Sequence, residues 1–397
     1  MNKRITFLML FFLCLLFSCA DKKNVINSYI GFDIPKEMID THLESEMNRL
    51  NIPGMSIAFI NDGKVVHHKT FGYANLQDEI PVTEKTIFEG ASISKPIFAY
   101  FVMKYVEEGK LDLDTPLYTY LPYPDIAHDG RYKQITARMV LSHRTGFPNW
   151  RSDLPDDKLI LKFDPGTDYF YSGEGYQYLA MVLKHIDQTN WEGLEESFQK
   201  KVARPFGMKH TVFIQDDYSK ANKAEPYDED GEWVSPEKDV DSIFRYQFRA
   251  PASIHSEALD FSMWLLAMSE KKGLKQESYD ELFKVHSYVD EFNSIKIDYT
   301  LGFFKPRLPM TNIYMHGGNN YGFTSYMAID PDKGWGFVLF TNSEYGEQLG
   351  GELSFYLLAG PDLTKLYLLA GGVLLVVLVL LVLGIRFIIR RRRRTKQ

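Results

Sequence analysis

The chain has 397 residues, 45% of them hydrophobic, two cysteines and a formal charge of −7. Lys3, Arg4 and seven cationic residues between Arg386 and Lys396 leave the body from Asp21 to Lys365 at −16 once those nine charges are removed. An acidic body excludes nucleic acid as a partner. Cys14 and Cys19 both lie near the N-terminus, which excludes a disulfide staple or a cysteine metal site in the body. The ten histidines show no H-x-x-x-H or H-E-x-x-H spacing that would suggest zinc, and no cofactor is expected.

The first segment, residues 1–18, reads as a secretory signal. A basic start precedes a 13-residue run, Ile5 to Phe17, that is apolar apart from Thr6. Leu16-Phe17-Ser18-Cys19 also resembles a bacterial lipoprotein box with Cys19 as the lipidated residue. Ordinary cleavage and an uncleaved anchor stay open; every version sends the rest of the chain outward.

Pro35 to Leu50 reads as an amphipathic helix carrying Met38, Ile39, Leu43, Met47 and Leu50. "MSIAFINDGKVVHHKTFGYA" reads as a hairpin turning at Asn61-Asp62-Gly63. His67 and His68 fall on opposite faces of its second strand. "EGASISKPIFAYFVMKYVEEG", Glu89 to Gly109, opens a helix. Helical and loop signals then fill the middle, about 119–244, and Glu225 to Asp241 reads as an acidic surface loop. "TNIYMHGGNN", "FTSYMAI" and "WGFVLFT" read as three strands. Strand signals at both ends, about 35–118 and 245–360, predict one antiparallel sheet with a mostly helical insert: an α+β fold.

Leu366 to Ile385 is twenty residues without a charge, long enough at about 1.5 Å per residue to span a bilayer core. Arg390 to Arg394 follow, so the basic tail, 386–397, is expected in the cytoplasm and against anionic lipid. The two ends agree in placing the body outside the cytoplasm. The link after Gly360-Pro361 reaches at most about 20 Å, which keeps the body near the membrane.

Ser92 and Lys95 have the S-x-x-K spacing and share a helix face, whereas Ser94 points elsewhere. A serine hydroxyl needs a base to become nucleophilic. A semi-enclosed lysine can lose its charge and serve as that base, and the helix N-terminus offers free N–H groups to an oxyanion. Alone the spacing is weak. Two more phrases join it: "FDPGTDYFYSGEGYQYLAMVL", with Tyr171 ahead of a helix, and "YMHGGNNYGFTSYMAIDPDKGWGFVLFTN", with His316-Gly317-Gly318 on a strand.

Together these resemble the three motifs of the serine beta-lactamase-related family, which includes class C beta-lactamases, D-alanyl-D-alanine carboxypeptidases, D-aminopeptidases and esterases. "NIPGMSIAFINDGKVVHHKTFGYAN", "GKLDLDTPLYTYLP", "ITARMVLSHRTGFPNW" and "RPFGMKHTVF" look like family phrases in family order, so the resemblance covers roughly Met38 to Tyr356. It implies a beta-lactamase/transpeptidase-like α+β fold, with an antiparallel sheet covered by helices on both faces. It implies Ser92 as nucleophile, Lys95 as its partner and Tyr171 as general base or proton shuttle. His316 and Gly318 would line the substrate slot. The backbone N–H groups of Ser92 and Asn319 would form the oxyanion hole. The substrate would be a small-molecule or peptide ester or amide, possibly derived from the cell wall.

Two departures narrow that expectation. Gly173 stands where class C enzymes carry the Asn of Tyr-x-Asn, and His316-Gly317-Gly318 replaces Lys-Thr-Gly. A histidine is mostly neutral at pH 7, so a substrate carboxylate loses its permanent cation. The expected activity is therefore ester or D-peptide hydrolysis through an acyl-enzyme. A true beta-lactamase or carboxypeptidase, and a non-catalytic membrane-tethered binder, are the alternatives. An α/β-hydrolase would need G-x-S-x-G, and Gly90-Ala91-Ser92-Ile93-Ser94 lacks the second glycine. Trp150, Tyr227 and Trp233 are candidates for choosing the substrate.

Overall fold

Asp62 and Gly63 close the first long hairpin with φ of +50° and +65°, the left-handed pair that a two-residue turn between twisted strands requires. The flanking strands are β3 (Gly54–Asn61) and β4 (Lys64–Asn75). The computed structural model describes residues 24–154, 156–235 and 247–360. The expected signal and the Leu366–Ile385 span lie outside these residues. Among the described residues no helix is long and apolar enough to cross a membrane.

The chain forms two compact units. The smaller includes a hairpin of β1 (Val25–Asn27) and β2 (Asp33–Pro35) and the described residues from Leu353 to Gly360. Tyr29 N donates to Leu357 O across it at 2.7 Å. The larger unit, Lys36–Glu352, holds everything that concerns function.

Its frame is a nine-stranded, wholly antiparallel sheet in the order β5-β4-β3-β13-β12-β11-β10-β9-β8. The remaining members are β5 (Ile80–Pro81), β8 (Ser287–Phe292), β9 (Ile295–Tyr299), β10 (Phe304–Pro306), β11 (Tyr314–Asn319), β12 (Thr324–Asp330) and β13 (Trp335–Thr341). The early and late strands meet where β3 pairs with β13, Ala58 opposite Val338. Every residue of β3, β12 and β13 is buried, so both faces of the sheet centre are covered. The described residues of the middle, 119–235, contain helices and turns and no strand of the sheet. This is the expected α+β arrangement.

The helices are α1 (Lys36–Arg49), α2 (Ser94–Glu107), α3 (Ala137–Leu141), α4 (Gly173–Ile186), α5 (Trp191–Phe198), α6 (Asp217–Asn222), α7 (Ala258–Ser269), α8 (Gln276–Phe283) and α9 (Gly346–Ala359). In α1, Ile39, Leu43 and Met47 are buried at strict i, i+4, i+8 spacing, which leaves Met38 exposed against expectation. Pro35 ends β2 and does not open the helix. Helix α2 is buried almost throughout and forms the axis of the larger unit's core.

A short second sheet sets up the site. In it β6 (Phe88–Ala91) pairs with β7 (Ile254–Ser256), with a bulge between Glu89 and Ala91. Bulges re-aim the chain beside active sites. Here the bulge delivers the chain into the turn that carries Ser92.

Candidate active site

Ala91 ends β6 with φ +46°, a left-handed conformation that costs a non-glycine residue about 1 kcal/mol or more. The chain then turns through Ser92 and Ile93 into α2. Ser92 therefore precedes the helix instead of lying within it, and Lys95 N donates back to Ser92 O at 3.0 Å, which starts the helical geometry early. Ser94 faces away, as expected: its hydroxyl donates to Ala91 O at 2.6 Å and accepts from Ile254 N at 2.9 Å.

Lys95 Nζ lies 2.9 Å from Ser92 Oγ and 3.0 Å from the Pro251 carbonyl oxygen. Its side chain is fully buried. Among the described residues no carboxylate pairs with it. Burial, and then the Arg249 guanidinium, hold the amine well below its usual proton affinity. The faces of Tyr171 and Tyr176 stand 4.4 and 5.7 Å from Nζ.

Tyr171 occupies the loop just before α4, beside the pair, with its ring 4.4 Å from Lys95 Nζ. Burial raises its pKa far above the normal phenol value, an effect that the nearby Ser92 hydroxyl only partly opposes. The phenol is therefore protonated, and the amine is the basic partner of the pair.

His316 sits on β11, 1% exposed. Its Nδ1 is 2.6 Å from Gly317 O and its Nε2 is 3.1 Å from the Tyr299 hydroxyl. Burial and Lys95 lower its pKa to about 3, against a small upward pull from Gly317 O. It is thus neutral with both nitrogens occupied, and its ring centroid lies 6.2 Å from that of Tyr171.

Gly318 explains itself by contact: a Cβ there would stand 2.7 Å from Ser92 N and 2.6 Å from Gly90 O. Only a bare backbone lets β11 approach the nucleophile turn this closely. Asn319 follows at the strand end, its side chain donating to Glu344 Oε2 at 2.7 Å. A Cβ on Gly317 would run into the carboxylate of Glu347. That side chain has surface exposure, yet its surroundings raise the carboxyl's proton affinity. Ser325 Oγ donates to Gly90 O at 2.6 Å, tying the turn to β12.

Glu89, two residues ahead of the turn, pairs with Lys223 and accepts from Asn320 Nδ2 at 2.8 Å. Lys223 and His255 pull its pKa to about 2 despite burial. Asn320 also donates to Ala252 O at 3.0 Å, so this knot joins β6, the 320 loop and the loop that carries Pro251.

Gly173 has a packing reason: a Cβ would stand 2.7 Å from the Trp150 indole. The Arg249 guanidinium stacks on that indole at 4.9 Å. Asn149 brings an amide to the same place, its Oδ1 accepting from Gly173 N at 3.0 Å. Of the other candidates, Tyr227 is fully buried, and its hydroxyl accepts from Leu76 N and donates to Gln77 Oε1. Trp233 is exposed and donates to Glu225 at 2.8 Å. Tyr227 fastens the loop to the turn after β4, and Trp233 serves the loop itself. His67 and His68 go their separate ways, to Asp40 and Glu257.

A family model described as Beta-lactamase matches residues 39–359. The chain belongs to the beta-lactamase family. Protein flp of Staphylococcus aureus strain MW2 is 24% identical over 338 residues, covering 79% of this chain and 65% of that protein. The chain thus spans less than two thirds of that relative's length. A beta-lactamase of Pseudomonas fluorescens is 24% identical over 78% of this chain and 94% of its own. Two solved structures share the fold. The octameric penicillin-binding protein homologue from Pyrococcus abyssi has a TM-score of 0.68 at 24% identity, over 81% of this chain and 76% of its own. The D-alanine carboxypeptidase AmpC from Burkholderia cenocepacia has a TM-score of 0.67 at 19% identity, over 82% and 99%. Beta-lactamase-family members with this fold are serine hydrolases.

The larger unit brings together Ser92, Lys95, Tyr171, His316 and Gly318 from three distant stretches. Sequence reasoning passed over His143, Arg249, the Pro251 carbonyl, Tyr299 and Glu347. His143 stands in "VLSHRTGF", a phrase that marks the family without marking the histidine. A backbone carbonyl has no sequence signal at all.

Proposed function

We propose that this member of the family is a serine hydrolase that cleaves an ester or amide bond through an acyl-enzyme on Ser92. The observation that carries the reading is Lys95 Nζ at 2.9 Å from Ser92 Oγ, buried and with no acid partner among the described residues. Ser92 Oγ attacks the substrate carbonyl and its proton passes to Lys95. The new ammonium is met by Pro251 O and by the Tyr171 and Tyr176 faces, which stabilise a cation more than an amine. The Tyr171 hydroxyl, on the ring that stands over Lys95 Nζ, shuttles a proton to the leaving group. Backbone N–H groups at Ser92 and Asn319 hold the oxyanion; losing one such donor costs about 3 kcal/mol. Water then attacks the acyl-enzyme by the reverse proton route.

The electrostatics beside β11 favour substrates without a carboxylate. His316 is neutral, and Glu347 is an acid where an anion would need a cation. Short-chain esters, or amides bearing a neutral or cationic group, suit this wall. The names of the Pseudomonas and Burkholderia relatives favour a second reading, beta-lactam or D-alanine peptide cleavage. Turnover of a chromogenic cephalosporin and of a short-chain nitrophenyl ester, measured side by side, separates the two. The expected result is ester turnover that is lost in Ser92→Ala. Fast cephalosporin turnover without ester turnover overturns this reading. Absence of both, with no phosphonate labelling at Ser92, favours a non-catalytic binder.

The membrane-like ends support a catalytic unit outside the cytoplasm of a bacterium, tethered by the Leu366–Ile385 segment with the arginine tail inside. Mass spectrometry of the mature N-terminus reads cleavage and the lipidation of Cys19. Protease accessibility of the tail in sealed vesicles tests the orientation.

A further inference from the structure

His143 stands out among the groups that the proposed chemistry leaves unused. It is fully buried and its backbone is left-handed, φ +58°, an uncommon conformation for histidine. It grips both neighbours of Tyr171. Its carbonyl oxygen accepts from Phe170 N at 2.9 Å, and its Nδ1 accepts from Ser172 N at 3.0 Å. Its ring also lies against the Tyr171 ring, 4.3 Å between centroids.

The far side of the imidazole continues the connection. His143 Nε2 is 3.2 Å from the Tyr299 hydroxyl, and that hydroxyl is 3.1 Å from His316 Nε2. His316 Nδ1 is 2.6 Å from Gly317 O. Two backbone groups at the ends fix the direction of every bond. Ser172 N–H can only donate, so His143 Nδ1 accepts and its proton rests on Nε2. Gly317 O can only accept, so the proton of His316 rests on Nδ1 and its Nε2 accepts. The Tyr299 hydroxyl therefore receives from His143 and gives to His316. Tyr176, another buried phenol close by, sends its own proton to Leu141 O at 3.0 Å. Its oxygen is a weaker acceptor than the imidazole nitrogen.

We propose that His143, Tyr299 and His316 form a one-way, water-excluded strap from the Tyr171 segment to β11. The strap sets the distance between the proton shuttle and the strand edge beside Ser92. It starts between α3 and α4, crosses β9 and ends on β11, so it links the helical middle of the chain to the sheet. His143, Tyr299 and His316 are positioning residues. The inference rests on the hydrolase reading for its catalytic consequence, and on hydrogen-bond geometry alone for its polarity.

The experiment has two arms. In the first, the full-length protein is labelled with nitrogen-15 in histidine alone. Long-range proton–nitrogen spectra at pH 7 then report tautomers, with His143→Asn and His316→Gln assigning the two signals. The expected result is a proton on Nε2 of His143 and on Nδ1 of His316. The reverse tautomers, or an imidazolium at either position, overturn the strap.

In the second arm, Tyr299→Phe removes one oxygen while keeping the ring. Ester kcat and the rate of fluorophosphonate labelling at Ser92 are expected to fall together, by about 10- to 100-fold, with KM within about twofold. His143→Asn, chosen because asparagine accepts a left-handed backbone, gives the same split if Tyr299→Phe does not fold. Either folded variant with wild-type kcat overturns the positioning role. Wild-type protein that no ester or phosphonate engages overturns the hydrolase reading, and the tautomers still decide the strap.

Discussion

Two lysines near the nucleophile turn live in opposite surroundings. Lys223 meets the carboxylate of Glu89, which is pulled down to about 2 and remains an anion. Lys95 meets a hydroxyl, a carbonyl oxygen and two aromatic faces, with a guanidinium nearby. The first pair is ionic and structural. The second amine is kept neutral because a buried ammonium without an anion is costly. The partner on offer, more than the residue type, separates a strut from a base.

The sharpest way to break the comparison is Lys95→Arg, which keeps a cation that cannot give up its proton. Ester kcat is expected to fall by about 10²- to 10⁴-fold, read by steady-state kinetics, with the fold retained by circular dichroism. Glu89→Gln attacks the other lysine. It leaves the mostly enclosed Lys223 ammonium without its anion, at a cost of about 2–4 kcal/mol in urea unfolding. The same carboxylate makes stability pH-dependent. Its contribution is complete above the unfolded value near 4.5 and is lost as pH falls toward 2.

Arg249→Met sharpens the contrast from a distance. With the guanidinium gone, Lys95 binds its proton more tightly, and the acidic limb of the kcat profile moves to higher pH. An unmoved limb assigns the low basicity of Lys95 to burial alone. The smallest effect concerns His316. Its folded value is about 3 and its unfolded value 6.5, so between them the unfolded chain holds a proton that the folded chain refuses. Stability therefore drops as pH falls through that window. His316→Gln should flatten the slope by up to one proton, about 1.4 kcal/mol per pH unit, in denaturant melts between pH 6 and 4.

The sequence made the nucleophile turn readable because Ser92 and Lys95 are neighbours on one local geometry. The sheet centre was readable for a similar reason: β3, β12 and β13 are buried, largely apolar runs with clear turns. Strands β8 to β10 escaped notice because they lie toward the sheet's exposed edge, where "SYVDEF" keeps no alternation to detect. Helix α7 escaped because it is buried on nearly every side and shows no amphipathic stripe. At the site, Tyr171 and His316 were found through their phrases. His143, Tyr299 and Pro251 act through a backbone conformation, a single hydroxyl and a carbonyl, which composition and periodicity do not encode.

The pairing of β3 with β13 also governs how this protein can be made. Synthesis delivers β3 long before β13, so one flank of the first hairpin waits with open amide and carbonyl groups until the distant strand emerges. Such distant closure is slow. A truncated product ending before Trp335 would leave that edge of β3 unpaired and expose a sticky apolar ribbon.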